Sequence, residues 1–113
     1  MGKQKAEAVA SKNATNPLDY TSVRKAALVL RALNHKLRQR IVDILHENKS
    51  LTVTQIYVQL RIEQSVASQH LAILRSSGAV ATERQGKFII YSLDYNRLKE
   101  IQECCAALDS DKS

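Results

Sequence analysis

Residues 51–78 read LTVTQIYVQLRIEQSVASQHLAILRSSG. Val53, Ile56 and Leu60 fall on one face of a short helix, and Thr52 or Thr54 can cap it. Arg61-Ile62-Glu63 makes a three-residue turn. A second helix runs from Gln64 to Gly78, where glycine supplies the backbone conformation that ends helices. Short helix, tight turn and second helix predict a helix-turn-helix. At about 100° per residue, Gln64, Ser65, Ser68, Gln69, Ala72, Arg75 and Ser76 share one side of the second helix. Val66, Ala67, His70, Leu71, Ile73 and Leu74 take the other. The polar side contains no acid. Its amides, hydroxyls and arginine can both donate to and accept from base edges, and Ala72 lets the helix sit close.

Upstream, Val23, Ala26, Ala27, Leu30 and Leu33 form a helical stripe, with Asp19 or Thr21 as its cap. Leu37, Ile41, Ile44 and Leu45 predict a second helix from about Asn34 to Glu47, broken at Asn48-Lys49-Ser50. Downstream, AVATER and KFIIYSL are β-rich and flank Gln85-Gly86, a hairpin tip whose glycine accepts positive φ. Arg84 and Lys87 put two cations beside that turn, as a wing that grips phosphates or a minor groove requires. Asp94 then caps a last helix carrying Leu98, Ile101, Cys105 and Leu108. The expected order is α-α-α-α-β-β-α, mainly α with a small β-hairpin, over residues 19–109. Residues 1–18 and 110–113 are expected to be disordered tails.

The chain has 113 residues, which suits one domain. Its net charge of +6 is uneven. Residues 20–93 hold eleven basic residues against four acids, whereas residues 94–113 hold three against five. A basic centre favours a polyanionic partner. Three glycines, none close to another, exclude a phosphate-cradling loop. No apolar run suits a membrane span, and MGKQKAEAVASK lacks the apolar stretch of a secretory signal. Adjacent Cys104 and Cys105 cannot build a disulfide framework, so a reducing, cytoplasmic setting is expected. No nucleophile stands with a base, so no enzyme is expected.

ALNHKLRQRIVDIL (32–45), residues 51–80 and ERQGKFIIYSL (83–93) together resemble the ArsR family of winged-helix transcriptional repressors, from about Ala27 to Leu108. The resemblance implies a winged helix-turn-helix that dimerises through its first and last helices. Val23, Ala27 and Leu30 would then meet Leu98, Ile101, Cys105 and Leu108 across a two-fold axis. It places Gln64, Ser65, Ser68, Gln69 and Arg75 on the recognition helix. Arg84 and Lys87 fall on the wing, and Lys36, Arg38, Thr54 and Arg61 are expected at the phosphate backbone. The partner implied is double-stranded DNA carrying an inverted repeat, with recognition helices about 34 Å apart.

Departures from the family pattern remove its metal sites. Thr52-Val53-Thr54 stands where many members carry Cys-Val-Cys, and no histidine follows Asp94. No cofactor or metal is therefore expected. Glu63 replaces the usual serine cap of the recognition helix, and Lys36 replaces a proline. His35 and His70 occupy family histidine positions that carry no metal, and His46 suits the end of its helix. Tyr57 and Tyr91 are expected in the packing. Two alternatives remain open: a winged-helix module for protein contacts, and a thiol-sensing repressor using Cys104 and Cys105.

Overall fold

In the computed structural model, residues 16–110 are described. Five helices and three strands follow one another as α1 (Tyr20–Leu33), α2 (Lys36–Asn48), β1 (Ser50–Thr52), α3 (Val53–Leu60), α4 (Gln64–Ser77), β2 (Val80–Gln85), β3 (Phe88–Leu93) and α5 (Tyr95–Asp109). This is the expected mainly α winged helix-turn-helix, with one added strand. The expected tails fall mostly outside the described residues. Within them, the Leu18 amide donates to Asn16 Oδ1 at 3.0 Å.

Side-chain caps set most of the helix starts. Asp19 accepts from the Thr21 amide at 3.0 Å, and Asp94 from the Arg97 amide at 3.0 Å. Thr52 and Gln55 form a reciprocal capping box on α3, which decides between Thr52 and Thr54 as the cap. The start of α2 is less ordinary, because His35 Nδ1 accepts from the Leu37 amide at 3.1 Å. Asn34 is therefore the C-cap of α1 rather than the first residue of α2. Lys49 at φ 74° ends α2, and Arg61 at φ 57° turns the chain between α3 and α4. Gly78 at φ 85° closes α4. There Ser77 Oγ donates to the Leu74 carbonyl at 2.7 Å and accepts from the Ala79 amide at 3.3 Å, leading the chain into β2.

The sheet order is β1-β3-β2, antiparallel throughout. Leu51 stands opposite Tyr91, and Thr82 opposite Tyr91 on the other side. Period two therefore puts Leu51, Val80, Tyr91 and Leu93 on the sheet face that meets the helices. The core is built on Ile41 and Leu45 of α2, Ile56 of α3, and Leu71 and Leu74 of α4. Burying each such side chain contributes roughly 1.5–3 kcal/mol. The helix-turn-helix is thus fixed to α2 and the sheet by its apolar faces.

The outermost helices are packed differently. Only Ala32 is buried in α1, and no residue is buried in α5. Val23 is 49% exposed and Leu108 78% exposed, and Leu28 and Tyr20 are also exposed. No helix among the described residues is long and apolar enough to cross a membrane.

Candidate nucleic-acid interface

The helical wheel of α4 survives folding with one exception. Gln64, Ser65, Ser68, Gln69, Ala72, Arg75 and Ser76 are all exposed, while Ala67, Leu71 and Leu74 are buried. Ile73, expected on the buried side, is 41% exposed. It lies over an open groove between α1 and α4, with Leu28 on the opposite wall. Glu63 occupies the N-cap of α4 and makes no side-chain cap, as its chemistry predicts. The first amides of α4 are thus left without that partner, at the end of the helix where the dipole favours an anion.

On the other flank, Tyr91 of β3 faces Ser68, Ala72, Arg75 and Ser76 across a cleft of about 470 Å³. Tyr91 therefore borders the polar face of α4. The hairpin carries on from Tyr91 to its tip. Gly86 adopts φ 62°, with Gln85 paired to Phe88 and Arg84 to Ile89. Arg84 and Lys87 are exposed. In the sequence Phe88 is marked only as a strand residue. It is 54% exposed, with Lys87 Nζ 5.7 Å from its ring centroid.

Lys36, Arg61, Arg75, Arg84 and Lys87 are all exposed, and none pairs with a carboxylate among the described residues. Thr54 is exposed on the first turn of α3. Arg38, expected at the phosphates with them, requires correction. Its side chain turns inward and is buried. Nε donates to the Ala32 carbonyl, Nη2 to the Arg31 carbonyl at 3.5 Å, and Nη1 lies 3.1 Å from His70 Nδ1. The carbonyls at the end of α1 attract the guanidinium more effectively than solvent does, because they lack helical partners. Burial, then His35, then Arg38 hold the His70 imidazole below its ordinary pKa. The other histidines are also engaged. His35 caps α2, and His46 Nδ1 lies 2.8 Å from the Tyr95 hydroxyl at the start of α5.

The residues at the family's metal positions do not fit a metal. Thr52 Oγ1 accepts from the Gln55 amide at 3.2 Å, so it is committed to the α3 cap. No cluster of three or more His, Cys, Asp or Glu suited to a metal occurs among the described residues. Cys105 is half-buried on α5, and Cys104 is exposed. Cys104 nevertheless faces Ala26, Val29 and Leu30 of α1 alongside Ile101. It is thus less incidental than its place outside the apolar stripe suggests.

An exposed, acid-free helix of a helix-turn-helix beside a basic β-hairpin defines a winged-helix DNA-binding regulator. Similarity to known proteins identifies its kind. Residues 35–82 match the family described as bacterial regulatory protein, arsR family. The chain is 36% identical over 84 residues to the transcriptional repressor PagR of Bacillus anthracis, covering 74% of this chain and 84% of PagR. The crystal structure of PagR superposes with a TM-score of 0.63, covering 76% of this chain and 99% of that one. The transcriptional activator HlyU of Vibrio cholerae is 34% identical over 70% of this chain and 72% of its own. The structure of reduced HlyU gives a TM-score of 0.62 at 30% identity, covering 81% of this chain and 96% of that one. The chain belongs to the arsR family, and it is a DNA-binding transcriptional regulator rather than an enzyme.

Proposed function

We propose that residues 19–109 form a homodimeric, sequence-specific regulator that represses transcription by covering an inverted-repeat operator. The observation that carries this reading is the polar face of α4, fully exposed and without an acid, bordered by Tyr91 of the hairpin. Gln64, Ser65, Ser68, Gln69 and Arg75 read base edges in the major groove. Glutamine suits adenine, arginine suits guanine, and serine suits either. Lys36, Thr54, Arg61, Arg84 and Lys87 hold the phosphate backbone and set the register of the helix.

The dimer follows from the helices that bury little of their own. Val23, Ala27 and Leu30 of α1 and Leu98, Ile101, Cys105 and Leu108 of α5 supply an apolar surface that a second copy would cover. A two-fold dimer sets two α4 helices in successive major grooves, and this demands a palindromic site. PagR is described as a repressor and HlyU as an activator. Repression is the simpler consequence of a dimer that covers its operator.

The test is a gel shift with the DNA upstream of the protein's own gene against scrambled DNA of equal length. Preferential retention of the upstream fragment, at the mobility of a dimer complex, supports the reading. Equal retention of both fragments, or a monomer complex, contradicts it.

A further inference from the structure

Arg38 and His70 join the two parts of the molecule that the regulator must hold in register. Arg38 lies on α2 and grips the end of α1 through the carbonyls of Ala32 and Arg31. Its remaining arm, Nη1, reaches 3.1 Å to Nδ1 of His70, on the inner side of α4. A guanidinium only donates, so His70 Nδ1 must accept. That fixes the His70 proton on Nε2 and the ring as neutral. His35 Nδ1 accepts from the Leu37 amide, and its ring lies 4.8 Å from that of His70. Two imidazoles and a guanidinium thus share one half-buried site.

We propose that Arg38 is a positioning residue for the recognition helix, clamping α4 through a neutral His70, so that acidification releases the clamp and weakens sequence discrimination. The proposal rests on the reading of α4 as the base-reading helix. A protonated His70 loses its acceptor and sets a second cation against a guanidinium that cannot give up its proton. The titratable and charged groups that act on His70 are His35, at the N-cap of α2, and Arg38, within α2. Burial opposes its protonation most, and His35 and then Arg38 add to it. The clamped state therefore binds this proton less readily than a released state with an ordinary imidazole. By linkage, the clamp is at full strength above the ordinary histidine value of about 6.5. It weakens as pH falls from there through the lowered value of the clamped state.

Acid adds positive charge to any histidine-bearing protein and strengthens DNA binding of every sequence. The diagnostic quantity is therefore the ratio of affinities for operator and scrambled DNA. Between about pH 7.5 and about pH 5.5, the window in which histidine titrates, this ratio should fall at least about fivefold in the wild type, a typical coupling between linked sites. His70→Asn keeps an acceptor close to the Nδ1 position but does not titrate. It should retain the ratio seen at high pH and lose the pH dependence. A wild-type protein that prefers operator at high pH but whose ratio stays flat as pH falls, or a His70→Asn variant that falls in parallel with the wild type, would overturn the proposal.

Two measurements on DNA-free protein separate this clamp from the functional reading. The His70 Cε1 proton, followed by NMR, should titrate below the ordinary value, and His35→Asn should move its midpoint upward. Amides of α4 should exchange faster in Arg38→Met than in wild type, with those of α3 less affected. An ordinary His70 titration, or unchanged α4 exchange in Arg38→Met, would refute the clamp even if operator binding is confirmed. If neither DNA is preferred but both measurements come out as expected, the functional reading fails and the clamp stands.

Discussion

Replacing single cations should sort them by their effect on the salt dependence of DNA binding. Four exposed cations per protomer lie where phosphate contacts are proposed: Lys36, Arg61, Arg84 and Lys87. A dimer carries twice that number, and each neutralised phosphate contributes about −0.9 to the slope of log affinity against log salt. The expected slope is about −7, or roughly a 10⁴-fold loss of affinity from about 50 to about 200 mM salt. Arg84→Ala removes two contacts per dimer and should make the slope shallower by about 1.8. Arg38→Met should leave the slope unchanged within about 0.5, because its guanidinium is held by the Ala32 and Arg31 carbonyls and by His70. Fluorescence anisotropy of a labelled duplex, titrated over a series of salt concentrations, reads all three slopes. If Arg38→Met flattens the slope as much as Arg84→Ala does, the buried position of Arg38 is not the one occupied on DNA. A wild-type slope near zero would sink the electrostatic account altogether.

Three further outcomes follow from individual residues. Gln64→Ala and Ser68→Ala should each cost about 1–3 kcal/mol of discrimination per lost base contact while leaving the salt slope intact; competition binding with operator and mutated operator checks this, and altered base preference in Arg84→Ala instead would reverse reader and clamp. Gly78→Ala should lower stability by about 1–2 kcal/mol in thermal or denaturant unfolding, because φ is +85° and the new methyl would stand 2.7 Å from Arg97 Nε; an unchanged melting temperature would show that the α4 terminus relaxes freely. Treatment with diamide should change operator affinity less than about threefold, under ~0.7 kcal/mol, since adjacent helical cysteines cannot close a relaxed disulfide with one another; a tenfold loss that is absent from Cys104→Ser/Cys105→Ser would make the protein a thiol sensor.

Local chemistry makes most of the architecture legible in the sequence. Asp19, Asp94 and Gly78 act through backbone groups within a few residues of themselves, so their roles are visible in a short window. The polar face of α4 is legible for the same reason, since one helical period orders it. What the sequence does not reveal depends on contacts between distant segments. β1 has three residues, too few for a period of two to register, and it exists because β3 offers an edge to pair with. Arg38 looks like any surface cation in a basic helix. Its burial is decided by the Ala32 carbonyl near the end of α1, six residues earlier, and by His70, thirty-two residues later. Ile73 has the spacing of a core residue, but the shallow groove beside α1 leaves it uncovered. Histidine is an unusual helix cap, so nothing in the local sequence marks His35 as the residue that starts α2.

Selection of binding sites from a random-sequence DNA pool tests the central claim most directly, because the pool offers every candidate operator at once. The expected outcome is enrichment of an inverted repeat whose half-site centres lie about one helical turn, 10–10.5 base pairs, apart. The pool selected by Gln64→Ala should lose information at matching positions in both half-sites. Enrichment of a single unrepeated site, or of no motif at all from a protein that still retains DNA, would contradict a dimer that reads bases through α4.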